Sequence, residues 1–178
     1  VEGIEAARSL GGAMKYPTVT QTLSPNQVLR DRLGLAVIHR PCRSYRGVSK
    51  NYTGEIDMHV VRVATGGSYE DAGMRLGHYS AVSIRVMERT AVEHAAHFAF
   101  RLAEQHRHRV LSTSKYTIQR AADGLFEEVV AEVATEYRNT VHSKELFDAL
   151  LAKVIMNPER YDVVVCPNEY GDFLSDAI

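Results

Sequence analysis

At 178 residues and 45% hydrophobic content, the chain holds enough apolar material for one ordinary domain with a core of its own. Its 21 basic and 22 acidic residues nearly cancel, which argues against nucleic acid as a partner, since such proteins carry a basic excess. No apolar run approaches the roughly 18 residues of a membrane span, and Val1-Glu2-Gly3-Ile4-Glu5 has neither the basic nor the apolar region of a signal peptide. Cys42 and Cys166 form no CxxC pair, so free thiols in a reducing cytoplasm are expected.

In chain order, the first 23 residues are rich in glycine and threonine and show no strong period. Ser24-Pro25 is a good N-cap and first helical position for a short helix through Leu33, and Gly34 is its natural stop. Leu35–Ile38 and Met58–Val63 read as buried strands, with a polar loop from Arg43 to Asp57. Thr90-Ala91-Val92-Glu93 has the form of a capping box ahead of a helix carrying Ala95, Phe98, Ala99 and Leu102 inward. A strand from Val110 to Lys115 follows, then helices over Asp123–Tyr137 and Lys144–Met156. Tyr161–Cys166 is a buried valine strand that leads to a turn at Gly171. Strands alternating with helices indicate an α/β architecture.

Asp172 and Asp176 stand at i,i+4. If a helix starts near Gly171, they share one face, with Cβ atoms about 6 Å apart. Two readings fit: acids favoured at a helix start, or a pair of oxygen ligands for a hard divalent cation. Asp148, set among Leu146, Phe147, Leu150 and Leu151, is expensive to bury unless paired or metal-bound. With it, three carboxylates suit Mg²⁺ or Mn²⁺; the alternative is a partly exposed acid at the edge of the stripe. Arg30, Arg40 and Arg62 supply forks for substrate carboxylates, the latter two close to strand ends. Tyr69 and Lys115 are candidate proton-transfer groups. A nearby cation would lower the pKa of either; the alternative for each is ordinary packing or salt-bridging.

Other features weigh less. Gly66-Gly67 is no dinucleotide fingerprint, and His106-Arg107-His108-Arg109 reads as a solvated helix end. Ser112-Thr113-Ser114 has no histidine beside it in sequence, so a hydrolase triad is unsupported.

Together these residues resemble the isocitrate/isopropylmalate dehydrogenase family, from Ser24 to the C-terminus. Leu29-Arg30 and Arg40-Pro41 resemble its paired substrate arginines. Arg62 with Tyr69, through Thr65-Gly66-Gly67, resembles its third arginine and catalytic tyrosine. Lys115 in Ser114-Lys115-Tyr116-Thr117 resembles its catalytic lysine, and Asn168-Glu169-Tyr170-Gly171-Asp172 its signature run. Asp148, Asp172 and Asp176 resemble its three metal ligands.

The resemblance implies the family fold, with residues 1–35 as part of the large domain and 36–178 as the small, dimer-forming domain. It implies oxidative decarboxylation of a 2-hydroxy polycarboxylic acid with Mg or Mn and NAD or NADP. It also implies a homodimer with shared sites, Lys115 and Asp148 serving the neighbouring chain. Ser24 and Asn26 resemble the polar pair that isocitrate enzymes use for the substrate's γ-carboxylate, so isocitrate or a close analogue is favoured. The alternatives are isopropylmalate, homoisocitrate, tartrate or malate as substrate, or a non-catalytic family subunit. Val63 stands where the family is usually acidic, and Thr117 where isopropylmalate enzymes commonly carry asparagine. The family's N-terminal strand–loop–helix and its adenosine-binding segment are not represented, so a central fragment of a subunit is expected.

Overall fold

A computed structural model describes residues 2–17, 24–49 and 54–178. The chain divides into two compact units, Val1–Ala36 and Val37–Ile178. The first contains α1 (Glu2–Leu10) and α2 (Pro25–Leu33). The stretch without a strong period thus begins with a helix. Its apolar stripe is short, and charge supports it: Glu2 and Glu5 lie in the first turn and Arg8 in the last, with Arg8 Nη1 donating to Glu5 Oε1 at 3.0 Å. The rest of the early irregular run falls partly outside the described residues, as does part of the loop expected over 43–57. α2 ends where expected, at Gly34, whose φ of 64° is the left-handed C-terminal turn.

The second unit is built on strands β1 (Val37–Arg43), β2 (Asp57–Val63), β3 (Met74–Leu76), β4 (Ser80–Val82), β5 (Arg109–Ser114), β6 (Val141–Leu146) and β7 (Val163–Cys166). Five of them form one sheet in the order β1-β2-β7-β5-β6, antiparallel at β1–β2 and parallel elsewhere; β3 and β4 form a separate exposed hairpin. Helices α3 (Arg89–Glu104) and α4 (Ala122–Ala134) pack on Val61, Val63, Val163 and Val165. Helices α5 (Phe147–Met156) and α6 (Asn168–Ala177) pack on Met58, Val60, Val164 and Cys166 of the other face. Central parallel strands covered on both faces read as unbroken valine runs, which is why β2 and β7 were the plainest in sequence. The fold is α/β with a mixed, mainly parallel sheet.

Several local expectations change. The first strand runs Val37–Arg43 rather than Leu35–Ile38, so Arg40 lies inside it. Lys144–Leu146 belong to strand β6, and α5 starts only at Phe147; β6 is a largely exposed edge strand with little apolar signal. No capping box forms at Thr90: the helix begins at Arg89, whose guanidinium pairs with Glu93, Glu128 and Glu132. Gly171 is no turn but lies within α6. The His106–Arg109 run follows the end of α3 and is exposed, as read, but Arg107 in it is also anchored. Arg107 donates to the carbonyls of Asp57 at 2.7 Å and Glu159 at 2.8 Å and also to that of Tyr161, and it pairs with Asp162. Cys42 and Cys166 are free, and burial pushes the Cys166 thiol up to about 12.

The His106 ring lies tilted against that of the buried His59, centroids 4.4 Å apart, and His59 Nδ1 lies 2.9 Å from His39 Nε2. One of those two nitrogens must donate and the other accept, which a neutral pair does readily. Burial lowers the pKa of both His39 and His59, with His106 adding to it; for His59, His39 and Arg43 lower it further and Asp57 opposes. Burial, then Lys144, does the same to His142. Because these folded-state values lie below the unfolded one of about 6.5, the unfolded chain binds more protons as pH falls. Stability is therefore expected to hold above that value and drop through the interval beneath it. Urea midpoints at pH 7.5 and 5.5 check this, and His59→Phe should flatten the difference.

Candidate active site

Register sets the site's floor. Ile38 pairs with Arg62 and Arg40 with Val60, so the two arginines lie diagonally on one face of the β1–β2 ladder. That face is the one α6 covers. Gly171 makes the approach possible: a Cβ there would lie 2.6 Å from Arg62 Cβ. Helix α6 starts two residues after β7, which pairs in parallel with β2 and sets Cys166 beside Arg62. The first turns of α6 thus lie over the carboxyl end of β2.

On this frame the side chains of Arg40, Arg62, Tyr69, Asp172 and Asp176 converge. Arg62, almost wholly buried, donates through Nη1 to Asp172 Oδ1 and through Nε to Asn168 Oδ1 at 2.8 Å. Arg40 spans both aspartates, reaching Asp172 Oδ1 at 3.3 Å and Asp176 Oδ1 at 3.0 Å, and also donates to Ser175 Oγ at 2.6 Å. Tyr69 donates to Asp172 Oδ2 at 3.3 Å, with the Arg62 guanidinium 5.8 Å from its ring centre. Within the chain itself, the groups around Tyr69 make it a weaker acid. Burial raises the Tyr69 pKa first, then the Asp172 carboxylate and its hydrogen bond, and Arg62 only partly offsets them.

Lys115 and Asp148 form a second cluster, with Nζ 2.8 Å from Asp148 Oδ1. Lys115 follows β5 and Asp148 is in the first turn of α5 after β6, so both groups stand at the carboxyl ends of parallel strands. Open α/β sheets bind their ligands at that edge. Of the two readings of Asp148, the exposed acid is the one the structure shows: its side chain is 65% exposed, and the Lys115 hydrogen bond holds its pKa below the usual range. The apolar neighbours Phe147 and Leu150 turn inward while Asp148 faces out. Among the described residues no three His, Cys, Asp or Glu side chains gather closely enough to hold a metal ion. Asp172 and Asp176 are nevertheless a fitting pair for a hard cation: oxygen donors only, one helical turn apart, with Asp176 73% exposed.

Ser24, Asn26 and Arg30 belong to the first unit. Asn26 and Arg30 line a groove of about 830 Å³ together with Met14, Leu29, Leu33 and Leu35. Ser24 stands at the N-cap with Pro25 after it, as expected, but its side chain makes no capping hydrogen bond.

Arg85 and Asp123 escaped the sequence, and Asn168 and Glu169 stood in the signature run without a role. Asn168 links Arg62 to the loop after β2, donating through Nδ2 to Gly66 O at 3.1 Å. Arg85 pairs with two buried carboxylates, Glu169 and, at 2.7 Å, Asp123. The one available signal was Asp123 inside an apolar stripe, because a buried charge needs a partner.

The sequence profile of the family described as isocitrate/isopropylmalate dehydrogenase matches residues 2–178. The chain belongs to this family. It is 37% identical over 171 residues to isocitrate dehydrogenase [NAD] subunit 2, mitochondrial, of Saccharomyces cerevisiae, covering 94% of this chain and 46% of that protein. It is 32% identical over 180 residues to the chloroplastic 3-isopropylmalate dehydrogenase of Solanum tuberosum, covering 98% and 50%. The isocitrate dehydrogenase structure from Methylococcus capsulatus superposes with a TM-score of 0.81 at 27% identity, covering 98% of this chain and 58% of that one. The chain spans about half the length of the curated relatives it matches. The cytoplasmic location expected from its thiols does not stand, since the isocitrate dehydrogenase relative is mitochondrial. Reduced cysteines report a reducing compartment and not which one.

Proposed function

We propose that the protein to which this chain belongs oxidatively decarboxylates a 2-hydroxy polycarboxylic acid, isocitrate or a close analogue, with Mg²⁺ or Mn²⁺ and NAD. The convergence of Arg40, Arg62 and Tyr69 on Asp172 and Asp176 carries this reading. NAD is preferred to NADP because the yeast relative is named for it. In this reading the first unit is part of the family's large domain, with Ser24, Asn26 and Arg30 as further substrate contacts, and the second is the small domain.

Asp172 and Asp176 would hold the cation, which supplies Lewis-acid polarisation of the hydroxyl and later the keto oxygen. Arg40 and Arg62, now turned to the aspartates, would then take the substrate's carboxylates in their planar forks. Lys115 Nζ would accept the proton of the substrate's hydroxyl, and bound NAD would supply the acceptor for the hydride of the carbon bearing that hydroxyl. The β-keto acid formed loses CO₂, and the Tyr69 hydroxyl delivers a proton to the carbon left behind. The separation of Lys115–Asp148 from Asp172–Asp176 supports a site completed by a second copy of the chain, each copy lending its lysine and Asp148 to the other.

Initial rates of the complete protein with Mn²⁺, NAD or NADP and a panel of 2-hydroxy acids test the reading. Isocitrate with NAD should be turned over fastest. Turnover of isopropylmalate without isocitrate would move the substrate to the other branch of the family, and no turnover of any member would sink the proposal.

A further inference from the structure

Helix α4 buries two carboxylates one turn apart, Asp123 and Glu127. Burying like charges on one helix face is unfavourable unless each is fully engaged. Both are engaged, and both by the end of β5. Glu127 Oε1 accepts from Ser114 Oγ at 2.5 Å and Oε2 from Ser112 Oγ at 2.6 Å; His142 Nε2 lies 3.0 Å from the same Ser112 hydroxyl. Asp123 Oδ2 accepts the backbone N–H of Lys115 at 2.7 Å and the Tyr170 hydroxyl at 3.2 Å. Its Oδ1 accepts from Arg85 Nη2 at 2.7 Å and Nε at 3.0 Å, which balances its charge. The Lys115 carbonyl is held in turn by Ile118 N at 2.9 Å and Gln119 N at 2.8 Å.

The backbone at Lys115 is thus fixed on both sides, and its preceding residue is fixed through the side chain. The ammonium group pairs with the exposed Asp148, on a side chain that is itself part-buried. The geometry points to Asp123 and Glu127 as positioning residues that aim the proton-transfer lysine. Neither touches substrate; they act through Lys115, and the inference rests on the role proposed for that lysine. Tyr170 extends the same clamp to α6, two residues before Asp172, so Asp123 fastens the lysine's strand end to the helix bearing the aspartate pair.

Dehydrogenation needs Lys115 to take the hydroxyl proton, whereas loss of CO₂ from the β-keto acid begins after that proton has gone. The test uses the complete enzyme and measures three quantities: steady-state oxidation of the hydroxy acid, decarboxylation of the corresponding β-keto acid, and KM. Asp123→Asn and Glu127→Gln should slow oxidation at saturating substrate about tenfold or more, as misplacement of a reacting group does. KM for the hydroxy acid and decarboxylation of the keto acid should stay close to the parent values. Equal loss of both half-reactions would mean a general structural role and overturn the inference, as would unchanged oxidation in Glu127→Gln. If Asp123→Asn does not fold, Glu127→Gln decides alone. Lys115→Met separates the two levels. Should it oxidise substrate at the parent rate, the role of the lysine itself fails; should it be inactive while both α4 variants work normally, only the positioning is refuted.

Discussion

Asp172→Asn is expected to abolish turnover while leaving the chain folded. Asp172 accepts from Arg40, Arg62 and Tyr69 at once, so it is the anion around which the cluster is built. The amide keeps the shape but loses the charge that would hold a divalent cation. Lewis-acid stabilisation is worth several kcal/mol and each ~1.4 kcal/mol is tenfold, so kcat/KM should fall by roughly 10³ or more. Mn²⁺ affinity, measured by equilibrium dialysis, should weaken by at least about tenfold, the scale seen even for groups that only support a ligand. Arg62 keeps Asn168 as a partner at 2.8 Å, and Arg40 keeps Asp176, which is why the fold should survive. Unchanged Mn²⁺ affinity would contradict the metal assignment.

Lys115→Met is the second large effect. A positioned general base contributes on the order of 10²–10⁴ in rate, so kcat should fall by about that factor. KM for the hydroxy acid should change little, because Arg40 and Arg62 are the groups proposed to hold its carboxylates; an interaction made only in the transition state is lost without loss of ground-state binding. Removing the ammonium also frees the exposed Asp148 from its 2.8 Å partner, and the Asp148 carboxyl should then titrate nearer its ordinary value. A rise in KM with kcat intact would instead make Lys115 a binding residue.

The sequence made legible what repeats or what is chemically costly. Valine runs marked β2 and β7, because strands covered on both faces carry no polar alternation. The arginine, tyrosine and aspartate positions stood out by their order along the chain, and five of them, Arg40, Arg62, Tyr69, Asp172 and Asp176, come together in space. What escaped was set by tertiary contact. β6 pairs along a sheet edge with few apolar residues, and β3–β4 is an exposed hairpin, so neither has a periodic signature. Gly171 read as a turn because glycine commonly marks one, yet its lack of a side chain here admits Arg62. Asp148 left two readings open because its neighbours are apolar, and a helix start turns the one acid outward between them. Asp123, Glu127 and Arg85 interact across distances along the chain that no local pattern reports.

Mixing two inactive chains tests the proposed shared site most directly. Asp172→Asn and Lys115→Met copies of the complete protein are unfolded together and refolded, and activity is compared with each refolded alone. In a mixed dimer one site carries both substitutions and the other carries neither. With random pairing, about a quarter of the parent activity should return. Mixtures as inactive as their components would contradict a site built from Asp172 of one chain and Lys115 of the next.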